Sequence, residues 1–371
     1  MSIYDGTFWD NSLWYPPGDH MSWEQFEDAD TNQGIKLARP KDLFNCVYYI
    51  GFILLFRLFY EKFIGRPLAK YFLGRKSQRK LPAECQPLEL LYLTNKSTPN
   101  LTSSVFINFY QQNVKDFKKA GLTNNRKISN WYKRRRNLER PDLVKKFSET
   151  SYRFIWYVFL WFWSVYALYD KPWLYDTLQC WIGFPYQELD FEIYFLYMIQ
   201  LSFYCTLALS IMTDIKRKDF NEQIIHHFAT ITLLSFSYMA NFYRVGSLVL
   251  IINDCSDIIL EFAKLTVYCQ KQKVADTLFT IFAVVFLITR NVLYPVMVLH
   301  TTLVKSMTLF TPYFGYYAFN AFLSVIAGLN FYWSFLIVKM AMRISDEGGV
   351  KNDERSDAEE LTSEGEDDKD K

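Results

Sequence analysis

The chain has 371 residues, half of them apolar and 19% aromatic, with a formal charge of +2. That is far too apolar for a disordered protein, and the near-zero mean hydropathy averages very apolar stretches with very polar ones. Six scattered cysteines without C-x-x-C or zinc spacing indicate neither a disulfide framework nor a structural metal, and they read as small apolar packing residues.

Residues 1–42 open polar and acidic. They lack the basic region and short apolar core of a cleavable signal peptide. Residues 43–60 form the first of seven stretches that meet the ~20-residue requirement of a bilayer-spanning helix. The others lie near 152–169, 193–212, 222–242, 246–268, 277–299 and 314–340. The implied class is an all-α integral membrane protein with about seven transmembrane helices.

Basic residues set the expected orientation. Lys and Arg crowd the segment from Arg57 to Lys80, return at Lys216, Arg217 and Lys218, and recur at Lys271, Lys273, Lys339 and Arg343. The opposite loops carry only Lys171, Arg244 and Lys305. The positive-inside rule then places the N-terminus in the lumen and the C-terminus in the cytosol, against the weaker pull of Lys36, Arg39 and Lys41. On that topology the sequons at Asn95 and Asn100 face the cytosol and stay unused.

Residues 61–147 are expected to be cytosolic, with a small helical unit over 81–147. It holds Trp131, Tyr132 and the arginines that follow, which resemble the end of a homeodomain recognition helix. A homeodomain places its adenine-reading Asn where Arg134 stands here. The favoured reading is a helical unit whose arginines meet lipid phosphates or a neighbouring domain. DNA is therefore not the expected partner. Residues 148–343 hold the remaining six spans, and 344–371 read as a disordered acidic cytosolic tail. In that tail Ser356 and Ser363 each have Glu three residues on, a pattern that suits an acidophilic kinase.

Two spans carry the chemistry. His226 and His227 sit side by side in the stretch 222–242, and Asp254, Asp257 and Glu261 follow in 246–268 with Lys264 beyond them. Ionisable groups are costly in lipid, so they face a bundle interior or cavity and mark function. At 1.5 Å per residue the histidines lie ~6–8 Å below the cytosolic surface. Asp254, Asp257 and Glu261 fall at i, i+3 and i+7 on one helix face, at depths that match. Adjacent helical residues diverge by ~100°, so one imidazole faces the reacting centre while the other flanks it. A carboxylate on the neighbouring helix is expected to orient the active imidazole, as a general base or as a nucleophile that takes an acyl group. Buried polar groups that merely tie two helices together are the bland alternative. The chain has four His in all, too few for the spaced boxes of membrane di-iron oxygenases. No P-loop, Gly-x-Gly-x-x-Gly or Gly-x-Ser-x-Gly occurs, and no metal site is expected.

These residues resemble the ceramide synthases, the Lag branch of the TLC-domain membrane proteins. The segment Thr213-Asp-Ile-Lys-Arg-Lys-Asp-Phe220 leads into His226-His227-Phe-Ala-Thr-Ile, and Arg244-Val-Gly-Ser-Leu-Val249 leads into Asp254-Cys-Ser-Asp257 and Glu261-Phe-Ala-Lys264. Further matches are Asp170-Lys-Pro-Trp-Leu-Tyr175, Thr289-Arg290 and Tyr294-Pro295. The likeness spans roughly residues 80 to 340, and the basic run at 131–141 looks like the homeobox-like segment of many animal members.

The resemblance implies an endoplasmic-reticulum enzyme that moves a fatty acyl group from acyl-CoA to the amine of a sphingoid base, in a six-helix barrel open to the cytosol. It assigns catalysis to His226, His227, Asp254 and Asp257, with one proposed route through an acyl-imidazole on His226. Glu261, Lys264, Arg290 and Asn253 support them. Many members carry His where Asn253 stands, and Asn cannot act as a base. No permanent cofactor is implied, acyl-CoA being a co-substrate. Lys216, Arg217 and Lys218 would attract its phosphates at the cytosolic mouth. Pairing with a second copy or a related synthase is also implied. Two competing functions are a non-catalytic TLC-type lipid binder and a membrane-tethered homeobox-like regulator. Acyl length, expected to be set near the loop 300–313, is not legible.

Overall fold

The computed structural model describes residues 11–17, 36–74, 83–94, 113–122, 127–128, 131–132, 134–135, 138, 142–211, 214 and 219–347. Lys216, Arg217, Lys218, Ser356 and Ser363 lie outside them. Among the described residues the regular structure is all helical. The chain divides into two compact units, residues 69–146 and the remainder.

The smaller unit contains α2 (Gln86–Thr94) and α3 (Val114–Lys119) around a core of Leu88, Tyr92, Phe117, Ile128 and Trp131. The buried Trp131 indole donates to the Ala83 carbonyl at 2.6 Å. The Arg135 guanidinium is taken up by Glu89 at 2.6 Å and lies 4.8 Å over the Tyr92 ring. Part of the basic run thus holds the unit's own fold.

The larger unit is a helical bundle. It comprises α1 (Asn45–Tyr60), α4 (Leu143–Leu168), α5 (Phe191–Ser210), α6 (Phe220–Met239), α7 (Tyr243–Tyr268), α8 (Gln272–Ile288) and α9 (Phe314–Glu347). Each apolar stretch of the sequence thus coincides with a helix. Among the described residues four helical segments are long and apolar enough to cross a membrane: Pro40–Leu73, Phe191–Ser210, Gln272–Thr308 and Phe314–Met342. The helices α4, α6 and α7 fall outside that set because they carry Arg153, the histidines and the α7 carboxylates. The chain is a multi-pass membrane protein. Around α1 the large apolar side chains point outward, Tyr48 and Leu55 among them, which suits a helix bathed in lipid rather than water.

The turn between α6 and α7 makes them antiparallel neighbours. Asn241 adopts the left-handed region at φ 58°, a conformation Asn tolerates better than most residues. The Phe242 amide then reaches back to the Ser237 carbonyl at 2.7 Å, which satisfies the last turn of α6 in the manner of a Schellman closure. Gly246 sits just beyond, where an added Cβ would press on the Tyr197 hydroxyl of α5. That hydroxyl bonds the Ser237 side chain and the Tyr243 carbonyl, each at 3.2 Å. The glycine of the Arg-Val-Gly-Ser motif therefore admits a tyrosine from α5 into the corner.

The neighbouring motif at 170–175 closes the same end. Trp173 donates to Ser247 at 3.2 Å, and Arg244 lies 4.7 Å over the Trp173 ring while donating to the Gln179 carbonyl at 2.8 Å. Lys171 pairs with Asp190 at 2.9 Å, the residue that precedes α5. Burial alone would lower the Lys171 ammonium, but its bond to Asp190 outweighs that and lifts it above its ordinary value.

After α8 the helix widens into π turns over Thr289–Leu299 and Thr301–Lys305. Pro295 lies inside the first of them. Proline has no N–H and crowds the preceding turn, and wide turns of this kind cluster at functional sites. Arg290 stands at the start of this segment, buried in the bundle.

Candidate active site

Near its first turns α6 presents His226 and His227, with ring centroids 5.7 Å apart. Both imidazoles meet the ring of Tyr204 from α5, at 6.2 and 6.0 Å. His226 also packs edge-on against Trp333 of α9 at 5.4 Å. The two histidines line a cavity of about 140 Å³ together with Asp257, Glu261 and Arg290. Arg153, Tyr157, Tyr204, Asp214 and Trp333 are in the same wall. The expectation that imidazoles and carboxylates from α6 and α7 converge thus describes the geometry for His226, His227, Asp257 and Glu261.

The carboxylates of α7 have different partners. Asp257 faces Arg290 at 3.5 Å, and Arg290 also donates to the Asn253 carbonyl at 2.7 Å and to Asn330 at 3.3 Å. Glu261 is bonded by Lys264 at 2.6 Å and approached by Arg153 at 3.6 Å. Asp214 then joins Arg153, at 3.3 Å, to Arg57 at 2.5 Å. The result is a chain of alternating charges from Lys264 to Arg57 whose middle members, Glu261, Arg153 and Asp214, line the cavity, with Arg290–Asp257 as a separate pair. A buried charge is tolerated only when it is paired and bonded, and this chain pairs each one.

Asp254 is placed differently from expectation. It is fully buried and is not among the residues that line the cavity. Its Oδ2 accepts from the Gln200 amide of α5, and Oδ1 has no hydrogen-bond partner. The expected carboxylate bond to the active imidazole is also missing at His226, whose buried Nδ1 has no hydrogen-bond partner. The physical reason is placement, since Asp254 is buried against Gln200 of α5 outside the cavity and Asp257 faces Arg290. Asn253 is among the residues lining a second, apolar cavity and lends its backbone carbonyl to Arg290.

That second cavity, of about 50 Å³, is walled by Leu233, Leu234, Val249, Leu250, Leu323 and Ile326 among others. It shares Tyr204 and His226 with the polar cavity. A polar chamber and an apolar one therefore meet at an imidazole and a phenol. Among the described residues no cluster of three or more His, Cys, Asp or Glu is arranged to hold a metal ion.

Residues 146–339 match the TLC domain model. The chain is 38% identical to human ceramide synthase 4 over 98% of its own length and 88% of that relative. It is 40% identical to bovine ceramide synthase 4 with the same coverage. Human ceramide synthase 5 matches at 35% identity, over 98% of this chain and 89% of the relative.

The chain belongs to the ceramide synthase family, within the TLC-domain proteins.

Against that family pattern the sequence motifs acquire structural reasons: the His pair and the Asp stripe line or flank the polar chamber, while Arg244 and Gly246 close the opposite end of the bundle. Several wall residues escaped the sequence reading. Arg153 obeys the same rule that singled out the histidines, a charge in an apolar stretch, but stands near the stretch's edge and reads as a flanking cation. Gln200, Tyr204 and Trp333 carry no charge and read as ordinary packing or belt residues.

Proposed function

We propose that the protein makes ceramide by moving an acyl group from acyl-CoA to the amine of a sphingoid base at the junction of the two cavities. The observation that carries this reading is that His226 lines both cavities. An acyl tail needs an apolar chamber, and a coenzyme and an amine need a polar one. The thioester carbonyl that joins tail to coenzyme then falls beside His226.

A sphingoid amine is mostly protonated near neutral pH and must lose a proton to attack. Histidine is the side chain suited to take it. In this scheme the amine nitrogen bonds to the thioester carbon, and the carbon–sulfur bond breaks. The first ammonium proton leaves through the imidazole to water, and the second, released as the nitrogen–carbon bond forms, passes through the imidazole to the departing thiolate. The thioester is already activated, so no nucleotide is consumed. His227, beside it, and Asp257, braced by Arg290, shape the field around the base. Asp254 acts from behind, holding Gln200 and thereby the α5 wall. Lys216, Arg217 and Lys218 precede α6 in sequence, where they would attract coenzyme phosphates.

All seven helices cross the membrane in this reading, six forming a barrel around the chambers. The protein resides in the endoplasmic reticulum with its N-terminus in the lumen and its C-terminus in the cytosol. The charges of Arg153, the His pair and the α7 carboxylates are carried because they face the chambers rather than lipid.

The test is the full-length protein in lipid nanodiscs, given sphinganine and a mixture of acyl-CoA lengths, with amide products read by mass spectrometry. Wild type should yield N-acyl sphinganine, and His226→Ala should lower the yield by ~10²–10⁴, the usual worth of a positioned base. Equal yield from both proteins would defeat the assignment of His226. Absence of amide from wild type would defeat the activity itself.

A further inference from the structure

Tyr204 is the second residue common to both cavities. Its side chain is almost completely buried, and its ring is close to both imidazoles. Buried tyrosine hydroxyls normally find a partner, and three others in the bundle do. Tyr197 bonds Ser237 and the Tyr243 carbonyl, Tyr243 bonds the Glu188 carbonyl, and Tyr294 bonds the Leu323 carbonyl. Among the described residues Tyr204 has no hydrogen-bond partner, and its oxygen is not among the sealed unpartnered atoms, so it meets open space.

We infer that the Tyr204 hydroxyl is the hydrogen-bond donor that stabilises the oxyanion formed when the amine attacks the thioester. This rests on the acyl-transfer reading above and assigns a role within it. The argument is positional. The acyl tail occupies the apolar chamber and the coenzyme the polar one, so the carbonyl between them must pass the wall where the chambers meet. Two side chains make that wall on both sides. His226 supplies the base. As the nitrogen–carbon bond forms, the carbonyl π electrons move onto oxygen, which is stabilised by a positioned hydrogen-bond donor. A phenol is protonated at neutral pH and donates readily. When the oxyanion collapses, the carbon–sulfur bond breaks and the phenol keeps its proton. Trp333, whose buried indole N–H also has no hydrogen-bond partner, packs on His226 but lines only the polar chamber, whereas Tyr204 lines both.

The experiment compares wild type with Tyr204→Phe, full-length and in nanodiscs, after matching their thermal unfolding. Removing one oxyanion donor typically lowers kcat by ~10²–10³. That loss is expected here, with KM for acyl-CoA nearly unchanged. Two coenzyme probes separate a donor from a merely shaping residue. A trifluoromethyl-ketone analogue becomes an oxyanion mimic on addition of a nucleophile, and its inhibition should weaken about in step with kcat. A thioether analogue has no carbonyl, and its binding should stay within about threefold, since the ring remains. Wild-type kcat in Tyr204→Phe, or equal weakening of both probes, would overturn the assignment. If Tyr204→Phe fails to fold, 3-fluorotyrosine at position 204 replaces it. Its more acidic phenol should tighten the ketone probe and leave the thioether unchanged, and no selective tightening would overturn the assignment as well. A wild type that makes no amide would instead remove the acyl-transfer reading on which this one stands.

Discussion

Arg290 and Asp257 form the ion pair nearest the chemistry, and their coupling can be measured. The guanidinium nitrogen lies 3.5 Å from the carboxylate, with side chains 5% and 22% exposed. At an effective dielectric of about 20, two unit charges at that distance attract by ~5 kcal/mol. Much of this is offset by the cost of taking both charges out of water. Arg290 also holds the Asn253 carbonyl and Asn330, so Arg290→Met removes a charge and two hydrogen bonds together. Breaking a buried pair from one side costs ~3–5 kcal/mol, and that is the expected loss of stability. Asp257→Asn should cost less, because Arg290 keeps its other two acceptors. The double variant should be more stable than the sum of the single losses implies, by ~1–3 kcal/mol. The assay is reversible denaturation of all four proteins in mixed micelles. An interaction energy below ~0.5 kcal/mol would show that the two residues are neighbours without being partners, and the braced-carboxylate account of the site would fall.

Two other outcomes follow from the packing. Phe242 and Phe319, with ring centroids 4.3 Å apart, line both the apolar chamber and a smaller pocket of about 10 Å³ beyond it. Phe319→Ala should join the two spaces and shift the amide products toward longer acyl chains, each newly buried methylene being worth ~0.8 kcal/mol. An unchanged length profile at normal total yield would show that this ring pair does not set the limit. Gly246→Ala should destabilise the protein by ~1–3 kcal/mol, the usual cost of overpacking, because its Cβ meets the Tyr197 hydroxyl. The same substitution should cost less in a Tyr197→Phe background, and equal costs in thermal unfolding would refute the close-approach explanation.

The parts of the site that were legible in the sequence share one property, which is that they are expensive to bury. His226, His227, Asp257 and Glu261 stand out because lipid tolerates such groups poorly, so a chain keeps them only where a chamber receives them. The same expense makes α6 and α7 less apolar than the spans around them, which is why composition counts α1, α5, the α8 segment and α9 as membrane-crossing and leaves α4, α6 and α7 aside. Hydropathy and site detection therefore work against each other, since a helix that carries charges for a reaction looks less like a span. What stayed illegible was cheap to bury or depended on contact. Tyr204 and Trp333 are aromatic in aromatic-rich helices, and nothing in their spacing separates a wall of the junction from a packed ring. Asp254 was recognised as important, but its partner was not, because Gln200 is an uncharged residue on a helix remote in sequence. The pairing of Gln200 with Asp254 can be seen only once α5 and α7 are side by side. An i, i+3, i+7 stripe says which residues share a face, and only tertiary packing decides that Asp257 and Glu261 look into the chamber while Asp254 looks away from it.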